Sequence, residues 1–136
     1  MRSRRKLLLI VVCLSLPLVL VGCMYSSGVR RGWLSSDGLA SMKAKYAYWN
    51  GVRQRAISLK EDTTLEFAYT AAATQGSLTI MVQDPAGNPL FSVTVDENSK
   101  EASDKVQVRA ETAGRYKVRV QGESTAGSFS VSWKKK

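Results

Sequence analysis

Cysteine and histidine supply many of the nucleophiles, general bases and transition-metal ligands in proteins, and this chain of 136 residues has two cysteines and no histidine. Cys13 lies inside an apolar run, which leaves Cys23 as the candidate for chemistry. The small Gly22 precedes it, Leu20 stands three positions before it, and a thiolate is a good nucleophile near neutral pH. With no histidine, and with Cys23 as the one candidate cysteine, the chain lacks the residues of the usual nucleophile–base pairs and zinc sites. We therefore expect no enzyme activity, no metal and no cofactor.

The segment before Cys23 has the features of an export signal. Its cationic start consists of Arg2, Arg4, Arg5 and Lys6, which the positive-inside bias keeps in the cytoplasm. Residues 7–21 are an apolar run of 15 residues, broken only by Ser15 and Pro17. The run is shorter than the roughly 20 residues that cross a bilayer core as a helix, and Pro17 would interrupt the hydrogen bonds of such a helix. A cleaved signal is therefore favoured, with an uncleaved signal anchor as the alternative.

Residues 20–23 (LVGC) resemble the lipobox of bacterial lipoproteins. The resemblance implies a thioether between Cys23 and diacylglycerol, and cleavage between Gly22 and Cys23. Two or more acyl chains make such an anchor effectively permanent. We therefore expect residues 1–22 to be a signal peptide and the membrane to be a partner through Cys23. The expected location is the extracytoplasmic face of the cell membrane.

The chain after the leader is moderately basic. Sixteen Lys and Arg against eleven Asp and Glu leave a net charge near +5, out of +9 for the whole chain. A modest positive excess suits a surface that faces anionic lipid or wall polymers. The export signal argues against nucleic acid as a partner.

Residues 23–39 are rich in Ser and Gly and have no sustained hydrophobic period. They predict a lipidated N-terminus followed by a flexible tether. The folded domain is then expected over residues 40–136.

From residue 41 onward the hydrophobic period is two, which is typical of strands with one buried face. Turn signals at Asn50-Gly51, over residues 71–76 and over residues 122–127 separate some of these segments. Eight strands are predicted, at 41–49, 52–59, 63–70, 77–83, 91–95, 106–110, 116–121 and 128–133. The pattern predicts an all-β fold, a jelly-roll-like antiparallel sandwich of two layers, with a closed barrel as the alternative. Arg53 and Arg55 share the parity of the apolar Ile57 and Leu59, which predicts a bulge in the second strand.

Residues 76–88 (GSLTIMVQDPAGN) resemble a stretch of small lipoproteins of Gram-positive bacteria, and residues 113–120 and 127–133 are similar to the ends of the same proteins. The resemblance implies a β-sandwich in the cell envelope. It carries no catalytic residues.

Two groups of side chains could contact a ligand. Tyr48 and Trp49 could stack on sugar rings, with Trp49 the better surface candidate, although the parity of Tyr46 and Tyr48 favours the core. The acidic residues between Asp96 and Asp104 could be a calcium site, but their spacing lacks the usual loop pattern and a solvated loop is favoured. The first predicted function is therefore a non-enzymatic accessory or protein-interaction module of the envelope. The alternative is a module that binds carbohydrate or wall polymer through exposed aromatic and basic residues.

Overall fold

The computed structural model describes residues 24–136, so the predicted leader, the cleavage site and Cys23 lie outside the described residues. The described chain contains no helix, and thus none that could cross a bilayer. Its seven strands pair antiparallel throughout. They are β1 (Met24–Arg31), β2 (Leu34–Gly38), β3 (Ser41–Leu59), β4 (Thr64–Gln83), β5 (Pro89–Asp96), β6 (Glu101–Arg109) and β7 (Gly114–Lys135).

Three strands are long enough to belong to two layers at once. β3, β4 and β7 have 19, 20 and 22 residues, whereas strands usually have about 3–10. Each passes through one layer, bends, and continues in the other. The pairing register shifts at the bends, between Tyr46 and Gly51 in β3 and between Ala73 and Ser77 in β4. Such irregularities let a strand change sheets at a corner of a sandwich.

The two layers each contain five strand segments. Layer A consists, in order, of β2, residues 41–46 of β3, residues 127–135 of β7, residues 64–73 of β4, and β6. Layer B consists of β1, residues 49–59 of β3, residues 114–122 of β7, residues 77–83 of β4, and β5.

The alternating side chains of the two layers meet in one core. Phe67 and Tyr69 of layer A lie 6.0 and 5.4 Å from Phe91 of layer B, measured between ring centroids. Tyr46 and Trp133, both core candidates by parity, are buried. The predicted antiparallel sandwich is confirmed.

Three local predictions were wrong. Residues 24–38 are not a flexible tether, because β1 and β2 hydrogen-bond to β3 along their lengths. Asn50-Gly51 forms no hairpin, since both residues lie inside β3. No bulge occurs at Arg53 and Arg55, because the register of β3 with β7 is continuous from Gly51 to Leu59.

Candidate functional site

The outer face of layer A carries hydroxyl and ammonium groups. Strand parity requires this, because Lys43 and Lys45 alternate with the buried Met42, Ala44 and Tyr46. On β7, the serines at positions 128, 130 and 132 alternate with buried apolar residues in the same way. The pairing of β3 with β7 then places each lysine beside a serine, Lys43 opposite Ser130 and Lys45 opposite Ser128.

These side chains line a groove, which we call the lysine–serine groove. It has a volume of about 590 Å³. Ser128 and Ser130 on the central strand β7 lie between the lysines of β3 and Thr70 of β4. The lining residues are Leu34, Ser35, Ser36, Lys43, Ala44, Lys45, Thr70, Ser128, Phe129 and Ser130.

The groove is electropositive. Its lining contains two ammonium groups and no carboxylate. Neither Lys43 nor Lys45 forms an ion pair with another residue of the described chain. Both ammonium groups are therefore available to a ligand, and their field favours negatively charged or strongly hydrogen-bonding ones.

The depression continues across layer A toward β6. Two shallower hollows of about 450 and 330 Å³ follow, over Ala68, Ser132 and Lys105. Asp104 lines the first of them, so the face is of mixed charge at its far side. The long axis of the face crosses the strands, which gives an extended polymer room for several contacts.

Trp49 and Tyr48, the two residues predicted to contact a ligand, lie elsewhere. The expectation that Trp49 is a surface residue was wrong: only 1% of it is exposed. The shift in register between Tyr46 and Trp49 reverses the parity and turns the indole inward. Tyr48 is half-buried beside Arg31 and Asn50, in a hollow of about 280 Å³ that does not join the lysine–serine groove.

Trp49 belongs to an aromatic cluster at the corner between the layers. Trp33 stacks on Tyr46 with 5.5 Å between ring centroids, and its centroid lies 5.2 Å from that of Trp49. Phe129, whose backbone lies under the groove, completes the cluster at 5.7 Å from Trp49. Arg53 pairs with Asp37 and stands over Trp33, which closes this side of the core. The cluster is structural, because its rings face one another rather than a groove.

The carboxylates of Asp84 and Asp96 accept hydrogen bonds from backbone amides within turns. The Asp96 carboxylate accepts hydrogen bonds from the amides of Ser99 and Asn98, and these hold the pKa of Asp96 below its usual range. Asp84 accepts a bond of 2.8 Å from the amide of Asn88, and its pKa is lowered for the same reason. Within residues 24–136, no three His, Cys, Asp or Glu side chains gather as metal ligands would.

Sequence reasoning missed the lysine–serine groove, although a signal for it exists. The alternation of lysine on β3 and of serine on β7 shows that each strand has a polar face. Only the pairing of β3 with β7, which are distant in the chain, shows that the two faces are one surface.

Comparison with known proteins identifies the architecture. No protein-family model and no curated protein matches the chain. Among solved structures it is similar to the carbohydrate-binding module TmCBM61 in complex with β-1,4-galactotriose, with 15% identity over 83% of this chain and 88% of that one and a TM-score of 0.54. It is also similar to the carbohydrate-binding module CBM4, with 10% identity over 83% and 86% of the two chains and a TM-score of 0.50. At these identities the likeness shows the β-sandwich fold.

Proposed function

We propose that the domain is a carbohydrate-binding module and that the lysine–serine groove is its site. The groove itself carries the proposal. It is concave, it presents serine hydroxyls in a row, and its two ammonium groups have no ion-pair partner among residues 24–136. Hydroxyl and ammonium groups can donate hydrogen bonds to the hydroxyls, carboxylates or phosphates of a polysaccharide.

The fold supports the same proposal. The similar module TmCBM61 is described in complex with β-1,4-galactotriose. This likeness favours the second of the two functions predicted from the sequence, a module that binds carbohydrate or wall polymer. No feature of the groove supports the first, an accessory protein-interaction role.

The chemistry of the lining indicates how the ligand is held. The one aromatic residue in it, Phe129, is buried, so no ring face is offered for stacking on a sugar. Recognition then depends on hydrogen bonds and on the charges of Lys43 and Lys45. Such a groove suits a wall polymer with acidic groups.

Binding is proposed without turnover. Glycoside hydrolysis needs two carboxylates that flank the scissile bond. The lining of the lysine–serine groove contains none.

The module is proposed to act at the membrane surface. Lipid attached to Cys23 would hold it on the extracytoplasmic face, next to the envelope polymers. This part of the proposal rests on the resemblance of residues 20–23 to a lipobox.

Affinity electrophoresis of the full chain in detergent, through gels that contain a neutral β-1,4-galactan or an anionic wall polymer, tests the proposal. At least one polymer should retard the protein. The double variant Lys43→Gln/Lys45→Gln should weaken retention about tenfold or more, because each hydrogen bond to a charged group contributes about 1.5–3 kcal/mol. Ser130→Trp should abolish retention by filling the groove.

The matched control is Lys60→Gln/Lys117→Gln, which removes the same charge away from the groove. It should bind like the wild type. Absence of retention by every polymer, or equal weakening in both double variants, would contradict the proposal.

A further inference from the structure

Exposed apolar side chains concentrate on one edge of the sandwich. Within residues 24–136, five large hydrophobic side chains are exposed, and four of them lie on β1, on β2 or in the turn after β2. They are Tyr25 (57% exposed), Val29 (58%), Leu34 (73%) and Leu39 (97%). We call this side the β1–β2 edge. The opposite edge, formed by β5 and β6, has only Leu90, at 44%. Single exposed hydrophobics are ordinary, but such a concentration marks an interaction surface.

Leu34 forms part of the wall of the lysine–serine groove, which accounts for its exposure. Tyr25, Val29 and Leu39 are left without a role in that groove. Tyr25 and Val29 share one face of β1, because they are four residues apart on a strand.

Leu39 is held in place rather than loosely exposed. The guanidinium of Arg55 donates hydrogen bonds to the carbonyls of Gly38, Leu39 and Ser41, at 2.5, 2.8 and 3.1 Å. These bonds fix the turn, and the turn directs the leucine side chain into solvent. An apolar side chain presented by a fixed turn loses little conformational entropy when a partner covers it.

The charge along the same edge is positive. Arg30 and Arg31 are exposed on β1. Asp37 is the one carboxylate of residues 24–38, and it pairs with Arg53. The edge therefore combines aromatic, aliphatic and basic side chains, as surfaces that bind the interface of an anionic membrane do.

The position of Met24 identifies the occupant. Met24 is the first residue of β1 and pairs with Arg55, the residue that fixes the Leu39 turn. Cys23, the proposed site of lipid attachment, directly precedes Met24 in the chain, so an anchor at that residue joins the fold at this edge. With that lipid in the membrane, a placement that rests on the proposed function, the bilayer surface lies next to Tyr25 and Leu39.

From the exposed apolar side chains, the positive charge and the position of Met24, we propose that the β1–β2 edge rests on the surface of an anionic lipid bilayer, with Tyr25, Val29 and Leu39 among the headgroups. The contact is separate from glycan binding. It orients the domain, since the β5–β6 edge then points away from the membrane.

Hydrogen exchange of the full chain in lipid vesicles tests this orientation. Both edges have backbone amides that no described strand covers, so each serves as the other's control. In vesicles of phosphatidylglycerol and phosphatidylcholine, amides of residues 24–40 should exchange about tenfold more slowly than in phosphatidylcholine alone, because covered amides must open before they exchange. Amides of residues 89–109 should not change.

Val29→Asp and Leu39→Asp should remove the protection, and the matched variant Leu90→Asp on the opposite edge should retain it. Equal exchange at the two edges would overturn the proposal. So would protection that is independent of phosphatidylglycerol, or protection in lipid-free detergent that rises with protein concentration, which would indicate a second copy on the edge. Lys43→Gln/Lys45→Gln should leave the exchange pattern unchanged, so failure of glycan binding is distinguishable from failure of this proposal.

Discussion

At the scale of single residues, the arginines of β3 show how a polar side chain is accommodated toward the core. Arg53 faces inward and is paired with Asp37, and Arg55 donates to three carbonyls while standing 5.4 Å from the centroid of the Trp133 ring. The sequence predicted a bulge here, because Arg53 and Arg55 share the parity of an apolar residue, Ile57. An inward arginine needs no bulge when it has a partner. Asp37, which lies in the segment predicted to be a tether, is that partner for Arg53. Parity was right, and the missing information was the position of β2.

Tyr46 is a buried phenol whose hydroxyl lacks a complete hydrogen bond. Burial raises the pKa of Tyr46 to about 12; the hydroxyl of Thr125 acts in the opposite direction, but the two oxygens fall short of full hydrogen-bond geometry. The folded-state pKa exceeds the ordinary value of 10.0. The contribution of the neutral phenol is therefore complete below pH 10 and is lost as the pH rises toward 12.

Tyr46→Phe should be tolerated at neutral pH. We expect its free energy of unfolding to equal that of the wild type or to exceed it by up to about 1 kcal/mol, because a poorly bonded buried hydroxyl is removed. The fall in stability between pH 10 and 12 should become shallower. Urea unfolding at a series of pH values measures both effects. A clear loss at neutral pH, or an unchanged alkaline slope, would contradict this account.

Tyr116 should respond in the opposite way. Its hydroxyl donates a hydrogen bond of 2.7 Å to the carbonyl of Thr112, which is the arrangement of a tyrosine corner. Tyr116→Phe should lower the free energy of unfolding by about 1 kcal/mol, because the carbonyl loses its donor. Tyr25→Phe, at an exposed position, is the control and should change stability by less than about 0.5 kcal/mol. Equal effects of the two substitutions in thermal unfolding would refute the role of the hydroxyl.

At the scale of strands, the largest difference from the sequence prediction lies at the corners. Asn50-Gly51 and residues 122–127 were predicted as turns and residues 71–76 as a loop, and each lies inside a strand where the chain passes from one layer to the other. The hydrophobic period breaks at a corner as it does at a turn, because the inward side changes. Local sequence cannot distinguish the two cases, since only the pairing partner tells whether the chain reverses.

Gly127 tests the corner of β7. Its φ is +148°, and a Cβ there would lie 2.0 Å from the carbonyl oxygen of Ala72 on β4. Gly127→Ala should cost about 3 kcal/mol or more, because backbone must move in addition to the conformational strain. Gly87→Ala is the control, with a φ of +89° and no atom within 4 Å, and should cost about 1–2 kcal/mol. Equal losses in urea unfolding would mean that close approach at the corner is unimportant.

β1 and β2 were not predicted as strands, for a different reason. A strand is recognised in sequence by one buried and one exposed face, but every residue of β2 is exposed. Edge strands that have water on both sides show no alternation. Their Ser and Gly content then indicates a linker, although hydrogen bonds to β3 hold them in place.

At the scale of the whole molecule, alternation and turn signals favoured an antiparallel sandwich over a closed barrel, because two apolar faces must be buried against each other. The candidate site was predicted only in part. Basic residues were expected to bind a polymer, and Lys43 and Lys45 do line a groove. Aromatic residues were expected to contact the ligand as well, but the preferred one, Trp49, is buried. Four strands line the site, so predicting it requires the order of those strands in the sheet. The hydrophobic pattern of the sequence does not reveal that order.

The proposed attachment to the membrane concerns the whole chain, and one substitution tests it. Cys23→Ser should abolish acylation, so the protein should lose the added mass and shift from the detergent phase to the aqueous phase on phase separation. Cys13→Ser, in the apolar run, is the control and should leave both unchanged. Intact-mass measurement and detergent partitioning check the outcome. An unchanged mass in the Cys23 variant would refute lipidation at this residue.

The lysine–serine groove as a glycan site is tested most directly by amide chemical shifts of the isotope-labelled chain, in detergent micelles, during titration with the polysaccharide that retards it. Shifts should move at residues 43–45, 68–70 and 128–130, and they should saturate together. Saturable shifts confined to the surroundings of Tyr48, or to the outer face of layer B, would contradict the account. So would the absence of shifts with any polymer.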